Sequence, residues 1–167
     1  TAYEFRLSLV GSEMVIRDRH SLGLLKKQGI RITPQREIIL DYLITHHNHP
    51  DVETIRDEIE AKLPNLSVAT IYNTLKMLVD NGLVIELPNN DGGIRYDYFG
   101  VPHYHAICEN CGKIIDIFDD DYPELVKHVQ QTTRDKTDFL VTGTQMEVTG
   151  ICPECQRKLH IAKLSNK

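Results

Sequence analysis

The chain has 167 residues, of which 41% are apolar and 26% are charged. This composition fits one globular domain or two small ones and argues against a disordered protein. The formal charge of −5 excludes a uniformly basic nucleic-acid-binding surface, so any DNA contact must come from local patches. Because no apolar run approaches the roughly 18 residues that span a bilayer and no secretion signal is recognised, we expect a cytoplasmic protein without a membrane partner.

The first predicted elements are two helices that follow an extension, residues 1–20, to which we assign no role. From Ser21, an apolar cluster followed by Gly29 predicts a short helix with a C-terminal glycine. Thr33 and Pro34 predict the start of a second helix, because threonine caps helices well and proline suits the first helical position. The residues predicted to share its buried face are Ile38, Ile39, Tyr42 and Leu43.

Two further helices and a hairpin follow. Asp51 is the predicted cap of the third helix, which Pro64 ends, and Ser67 is the predicted cap of the fourth, which ends at Gly82. The apolar residues at helical spacing are Val52, Ile55 and Ile59 in the third helix and Ile71, Leu75, Leu78 and Val79 in the fourth. Two β-rich runs separated by turn residues then predict a hairpin over Leu83–Tyr98.

Helices followed by a two-stranded hairpin are the components of a winged helix-turn-helix, with the fourth helix in the recognition position. We therefore predict a winged-helix DNA-binding domain at residues 21–98, a hinge at 99–102, a second domain at 103–160 and a tail at 161–167. The second domain has predicted strands at 106–107, 114–118 and within 139–151, and a helix at 122–132. The predicted fold class is α+β.

The second domain is small. His103 to Cys155 spans 53 residues, too few for a comfortable independent core, so we expect a crosslinking ion and a partner subunit.

All four cysteines lie in two Cys-x-x-Cys pairs separated by 40 residues, Cys108 with Cys111 and Cys152 with Cys155. In a reducing compartment this pattern favours metal binding over disulfide formation. Four thiolates can bind one structural zinc ion in tetrahedral geometry. A redox dithiol and incidental buried thiols are the alternatives, but a redox motif needs only one pair. A zinc deaminase is excluded, because its signature needs His-x-Glu and a proline before the second cysteine pair.

A second candidate metal site combines histidines and carboxylates. His103 and His105 alternate along a predicted strand, so both imidazoles face one point. Asp97, Asp116 and His49 would complete a set of three nitrogen and two oxygen ligands that suits iron(II), manganese(II) or zinc and leaves an open position. Taken singly, these last three residues also fit a turn-stabilising, surface or solvated role.

The fourth helix carries a candidate DNA-reading face opposite its apolar side. Its side chains suit thymine methyls, adenine edges and phosphates, and they are Ala69, Thr70, Tyr72, Asn73 and Lys76. The alternative is that this face is an ordinary solvent-exposed helix surface. The charge balance favours that alternative, because residues 1–98 contain 11 basic and 14 acidic side chains. We prefer DNA because bound divalent ions offset part of this charge and four cations could gather on one side, namely Arg31, Arg36, Lys76 and Arg95.

Three segments, RITPQR at 31–36, SVATIYN at 67–73 and HYHAICENCGK at 103–113, together resemble the ferric uptake regulator superfamily and, within it, the peroxide-regulator (PerR-like) branch. The resemblance runs from about Leu22 to Cys155. It implies a winged helix joined to an α/β dimerisation domain, and a homodimeric repressor, not an enzyme, that binds A·T-rich inverted-repeat DNA. Tyr72 would contact bases and Arg31 a minor groove.

The resemblance also implies structural zinc at the four cysteines and regulatory iron(II) or manganese(II) at His49, Asp97, His103, His105 and Asp116. Iron-sensing members usually have glutamate where this chain has Asp116, which favours peroxide sensing. Pro102 and Tyr104 replace the ligands of a further histidine-rich site found in some relatives. Three other histidines are further candidates for the regulatory site, namely His20, His46 and His47. The alternative for His46 and His47 is a helix-end or solvated position, and that for His20 is an ordinary surface position.

The implied mechanism is an ion that joins both domains and sets the spacing of two recognition helices, with peroxide oxidising His49 or His103. One alternative is an iron-, manganese- or zinc-uptake regulator of the same superfamily. Another, from a different class, is a zinc-stabilised protein-interaction or metal-storage module.

Overall fold

The computed structural model describes residues 13–88 and 92–160, with side chains from residue 20 onward. Most of the predicted extension, the tail at 161–167 and residues 89–91 of the predicted turn lie outside the described residues. The chain forms two compact units. The first contains α1 (Glu13–Lys27), α2 (Pro34–Thr45), α3 (Val52–Ile59), α4 (Val68–Asp80), β1 (Val84–Pro88) and β2 (Ile94–Tyr98).

Side-chain caps begin the helices of the first unit as the sequence predicts. The Asp51 carboxylate accepts the Thr54 N–H at 2.8 Å, and the Ser67 hydroxyl accepts the Thr70 N–H at 3.1 Å. The Thr33 hydroxyl caps α2 at the longer distance of 3.4 Å. Each such cap satisfies one backbone donor and contributes about 1 kcal/mol.

Glycines end α1 and α4 in the same way. Gly29 and Gly82 have φ of 67° and 68°, a left-handed conformation that glycine adopts without strain. In α4 the Leu83 N–H donates to the Leu78 carbonyl at 3.0 Å, which closes the helix end. The prediction for α1 was wrong at its start: the helix begins at Glu13, eight residues before Ser21, because residues 13–20 contain no glycine or proline to interrupt it.

The core of the first unit forms around α2, which contacts α1, α3, α4 and β2. Because α2 is central, the set of its residues that is buried differs from the predicted one. Leu40 is fully buried whereas Ile38 is only partly buried, because a helix covered on several sides buries more than one stripe. Val79 of α4 is likewise only partly buried. The predicted apolar residues of α3 are all buried.

The second unit contains β3 (Tyr104–Cys108), β4 (Ile114–Ile117), α5 (Tyr122–Thr137), β5 (Glu147–Gly150) and α6 (Pro153–Lys158). The sheet order is β4-β3-β5. β3 is antiparallel to β4, with His105 opposite Asp116, and parallel to β5. Among the described residues, no helix has the length and apolar character needed to cross a bilayer.

Two predictions for the second unit were wrong. α5 continues to Thr137, and strand structure is confined to β5 instead of starting near Phe139. Phe139 and Leu140 are 68% and 89% exposed. These apolar residues, which suggested a strand, are therefore not packed in a sheet in this chain. α6 was not predicted, although Pro153 directly after Cys152 was an available start signal.

Candidate metal centres and nucleic-acid interface

The four cysteines converge at one end of the second unit, where β3 ends and α6 begins. One ligand atom from each lies within 4.8 Å of the others. The Sγ atoms of Cys111 and Cys152 are 3.8 Å apart, which matches the roughly 3.8 Å between sulfurs of a tetrahedral zinc–thiolate site and exceeds the roughly 2.05 Å of a disulfide. The arrangement therefore fits a structural metal ion held by four thiolates.

Backbone and side-chain donors contact two of these thiols. The Cys152 N–H donates to the Cys108 Sγ at 3.3 Å, and this bond lowers the pKa of the Cys108 thiol to about 6. The thiolate, which is the form that binds metal, is thus favoured at neutral pH. The Asn110 amide donates to the Cys155 Sγ at 3.2 Å. Sequence reasoning missed Asn110, although its place between two cysteines was a signal.

A tight turn presents the first cysteine pair. Gly112 has φ of 70°, and its N–H donates to the Cys108 carbonyl at 2.8 Å. The Cys108 N–H in turn donates to the Lys113 carbonyl at 2.9 Å. The Glu109 N–H donates to the Gly150 carbonyl at 2.8 Å, so the two cysteine segments are held together by backbone as well.

A second cluster of the second unit contains His103, His105 and Asp116. The Nε2 atoms of the two histidines are 3.0 Å apart, and a carboxylate oxygen of Asp116 lies 3.7 Å from the Nε2 of His103 and 3.5 Å from that of His105. Both histidines are buried, at 3% and 0% exposure. The cross-strand pairing of His105 with Asp116 creates this convergence, as the predicted strand pairing required.

The tautomer of His103 follows from its surroundings. Its Nδ1 lies 2.7 Å from the Val101 carbonyl. Because a carbonyl only accepts, Nδ1 carries a proton, and in the neutral imidazole Nε2 then presents a lone pair. The rings of Phe99 and Phe118 lie 5.0 and 5.1 Å from the His103 ring. Two imidazoles and a carboxylate therefore offer nitrogen and oxygen ligands to a cation, with no sulfur among them.

The first unit contributes His49 and Asp97. The His49 Nε2 lies 4.0 Å from a carboxylate oxygen of Asp97, and both residues are buried. His49 has a left-handed backbone with φ of 47°, a conformation that costs free energy for a residue other than glycine. The Arg95 guanidinium donates to the His49 carbonyl at 3.3 Å, and the Tyr96 N–H donates to the Pro50 carbonyl at 2.9 Å, so β2 holds this turn.

The competing histidines have other contacts. The His46 ring stacks on Tyr42 with centroids 4.5 Å apart, and its Nδ1 is 2.9 Å from the Thr45 hydroxyl, so it closes the end of α2. His47 is exposed. The exposed His20 lies 3.4 Å from the Tyr98 hydroxyl.

The candidate DNA-reading face of α4 is accessible. Ala69, Tyr72, Asn73 and Lys76 are exposed, with Tyr72 at 51%. Thr70 is only partly exposed, and its hydroxyl lies 2.8 Å from that of Ser67. The apolar side of α4 is buried in the core, so the two sides of the helix divide as predicted.

The four predicted cations have different partners. The Arg36 guanidinium donates to the Arg31 carbonyl at 2.8 Å, which brings these two residues together. Lys76 pairs with Asp80 at 3.2 Å on an exposed turn of α4, a pairing weak enough to exchange for a phosphate. Arg95 instead donates to the His49 turn.

A helical unit with a two-stranded wing, followed by a unit with two metal-capable clusters, defines a metalloregulator-like class of DNA-binding protein. The family model of the ferric uptake regulator family matches residues 27–149. The chain therefore belongs to the ferric uptake regulator family.

Individual relatives fall in the same family. The chain is 46% identical over 138 residues to the peroxide-responsive repressor PerR of Staphylococcus epidermidis, covering 83% of this chain and 89% of that protein. It is similar to the crystal structure of the Campylobacter jejuni peroxide stress regulator, with a TM-score of 0.64, 30% identity and coverage of 80% and 98%. It is also similar to the Helicobacter pylori ferric uptake regulator, with a TM-score of 0.61, 29% identity and coverage of 89% and 95%.

Proposed function

We propose that the protein is a metal-dependent transcriptional repressor that releases DNA when peroxide oxidises a ligand histidine. The observation that carries this proposal is the cluster of His103, His105 and Asp116, a set of nitrogen and oxygen ligands whose two histidines are buried, in a chain 46% identical to a peroxide-responsive repressor. Aspartate rather than glutamate at position 116 also favours peroxide sensing within the family.

Cys108, Cys111, Cys152 and Cys155 would hold a structural zinc ion. Support comes from the convergence of the four thiols and from the sulfur separation of 3.8 Å. The ion would tie the end of β3 to the start of α6. Its role is to stabilise the second unit and not to take part in sensing.

His49 and Asp97 would join His103, His105 and Asp116 on one regulatory ion, iron(II) or manganese(II). Support comes from the ligand chemistry, since these residues supply imidazole and carboxylate groups that suit such metals, and from the burial of His49 and Asp97. Iron(II), when bound, supplies the reactivity toward peroxide that oxidises His49 or His103, whereas manganese(II) lacks it. The Val101 carbonyl holds His103 with its Nε2 available.

Because these ligands come from both units, occupancy would select one arrangement of the recognition helices in a homodimer. Switching DNA binding from nearly off to nearly on needs a differential affinity of about 5 kcal/mol between the two arrangements. The DNA would be A·T-rich with inverted repeats. Its contacts would come from Arg31, Thr70, Tyr72, Asn73 and Lys76, a set supported by the exposure of most of these side chains.

The dimer would form through the second unit. Ile115 and Val148 flank Ala106 on one face of the sheet and are 38% and 50% exposed. Leu125 and Val129 of α5 are also exposed, at 43% and 37%. Apolar surface of this kind is typical of subunit interfaces, and a second copy of the chain would cover it.

A metal-uptake regulator is the second candidate, favoured by the likeness to the H. pylori ferric uptake regulator. An experiment separates the two. The protein is loaded with iron(II) or manganese(II) and exposed to hydrogen peroxide under anaerobic conditions. DNA binding is then measured, and mass spectrometry detects oxygen atoms added to histidine side chains. We expect DNA release and oxidised His49 or His103 only in the iron form. DNA release with both histidines unmodified would contradict peroxide sensing by this route, and failure to bind DNA with either metal would leave the interaction or storage module.

A further inference from the structure

An arginine of β2 contacts the turn that contains His49, between α2 and α3. The Arg95 side chain is partly buried, and its guanidinium donates to the His49 carbonyl at 3.3 Å. We propose that Arg95 is a positioning residue, which holds the imidazole of His49 where a metal ion can bind it. The inference rests on the proposed function, in which His49 is a ligand of the regulatory ion, and it gives Arg95 a role that the sequence did not predict.

The backbone of His49 has a conformation that its local sequence does not favour. Its φ of 47° lies in the left-handed region, which costs free energy for a residue other than glycine. The next residue is Pro50, and a residue that precedes proline prefers extended backbone. Such a conformation persists only where the surrounding structure enforces it. The His49 turn therefore needs contacts from another element of the first unit.

Three successive residues of β2 supply these contacts. Arg95 and Asp97 alternate along the strand, so their side chains lie on the same side of it. A carboxylate oxygen of Asp97 lies 4.0 Å from the Nε2 of His49, whose carbonyl accepts the bond from Arg95. Between them, the Tyr96 N–H donates to the Pro50 carbonyl at 2.9 Å. One strand thus contacts both the backbone and the imidazole of His49.

The charge of Arg95 has a partner in the same turn. Asp51 has a lowered pKa, first because Thr54 donates hydrogen bonds to its carboxylate and then because the positive charge of Arg95 lies nearby. The His49 carbonyl and the Asp51 carboxylate therefore both favour the guanidinium at this place.

The sign of the effect on metal binding separates positioning from charge alone. A guanidinium near a divalent cation repels it, so removing an arginine that acts only through its charge would strengthen cation binding. Removing a residue that holds a ligand in place has the opposite effect, because the protein must then order that ligand when the ion binds. Loss of Arg95 should therefore weaken the binding of manganese(II).

The test measures the manganese(II) affinity of full-length, zinc-loaded protein by titration calorimetry. No DNA is present, so a DNA contact by Arg95 would not affect the result. Arg95→Met removes the donor and the charge at similar side-chain length, and Arg95→Lys keeps both. Arg56→Met is the matched control, because Arg56 belongs to the first unit and pairs with Glu53 and Asp57 on the exposed side of α3. Arg95→Met is also made together with His49→Ala, which gives a double-mutant cycle.

We expect Arg95→Met to weaken manganese(II) binding about tenfold, Arg95→Lys by less than about threefold and Arg56→Met by less than about twofold. His49→Ala alone should weaken binding by about tenfold or more. In the His49→Ala protein, Arg95→Met should change the affinity by less than about twofold, because the side chain that Arg95 positions is absent. A loss caused by general destabilisation of the first unit would instead persist in that protein.

A second readout needs no ion at the regulatory site. Amide exchange of the Tyr96 N–H, measured by NMR without manganese(II), should be faster in Arg95→Met than in the wild type, because the Pro50 carbonyl would be held less firmly. Arg56→Met should leave this exchange rate unchanged. An unchanged rate in Arg95→Met would contradict the inference.

Two affinity results would overturn the inference alone. One is unchanged or tighter manganese(II) binding by Arg95→Met, and the other is an equal loss from Arg95→Met with and without His49. Equal affinities of the wild type and His49→Ala would instead show that His49 is not a ligand. That outcome would overturn the regulatory site of the proposed function together with the role of Arg95, and it is distinguishable because it requires no change at Arg95.

Discussion

The two units of the chain are stabilised by different kinds of core. The first buries a continuous set of apolar side chains from α1 to β2, including Leu40, Ile55 and Leu75 at 0% exposure. In the second unit, the buried cluster among the described residues consists of Cys108, Cys152 and Cys155, with Ile151 packed against it. Hydrophobic burial alone therefore explains the first unit, whereas the second needs its thiols bound to metal and its apolar surface covered.

Zinc removal is the strongest test of this comparison. Structural zinc contributes on the order of 10 kcal/mol to the folding of small domains, so a strong chelator should unfold the second unit while α2–α4 stay folded. Hydrogen exchange followed by mass spectrometry should show lost amide protection over 104–158 only. Added zinc should restore it and magnesium should not. Persistent protection of β3 in chelated protein would show that the second unit has a sufficient core of its own.

The converse test is a cavity in the first unit. Leu75→Ala should lower the free energy of unfolding of that unit by about 2–5 kcal/mol, because the Leu75 side chain is fully buried. The zinc content should stay unchanged. Urea unfolding followed by circular dichroism gives the first quantity and metal analysis the second. Loss of zinc from Leu75→Ala would mean that the two units fold as one.

The proposed regulatory ion differs from the zinc ion, because its ligands would come from both units. His105→Gln should weaken manganese(II) binding at least tenfold, about 1.4 kcal/mol or more, since His105 lies within 3.5 Å of Asp116 and 3.0 Å of His103. Titration calorimetry of zinc-loaded protein measures the affinity. His128→Gln, at an exposed position of α5, is the matched control. Equal affinities of the two variants would remove His105 from the site.

The smallest expected effect concerns the cap of α3. The Thr54 N–H, bonded to the Asp51 carboxylate, lowers the pKa of Asp51 below its ordinary value. A lowered folded-state pKa stabilises the protein above the unfolded pKa, about 3.9, and this contribution is lost as the pH falls through the folded value. Asp51→Ala should cost about 1 kcal/mol at pH 7.

Asp51→Asn keeps a capping oxygen and removes the charge. This variant should retain most of the wild-type free energy of unfolding at pH 7. Between pH 5 and 2, its free energy of unfolding should fall less than that of the wild type, as measured by urea unfolding. An identical acid dependence in both proteins would exclude a contribution from Asp51.

Much of the candidate chemistry was predictable from short segments. The caps at Thr33, Asp51 and Ser67 and the glycine helix ends depend on residues a few positions apart. The pairing of cysteines and the alternation of His103 with His105 are equally local. Local geometry follows from backbone dihedrals and neighbouring side chains, which the sequence specifies directly.

The tertiary structure alone decided what depends on distant contacts. The central position of α2 buried Leu40, the parallel pairing of β3 with β5 limited the last strand to Glu147–Gly150, and the packing of β2 against the turn after α2 placed Arg95 beside His49. The sequence by itself determined the kinds of ligand and the ends of the helices. Which surfaces meet was decided only in the folded chain, because packing between elements far apart in sequence selects among faces that local propensity leaves equivalent.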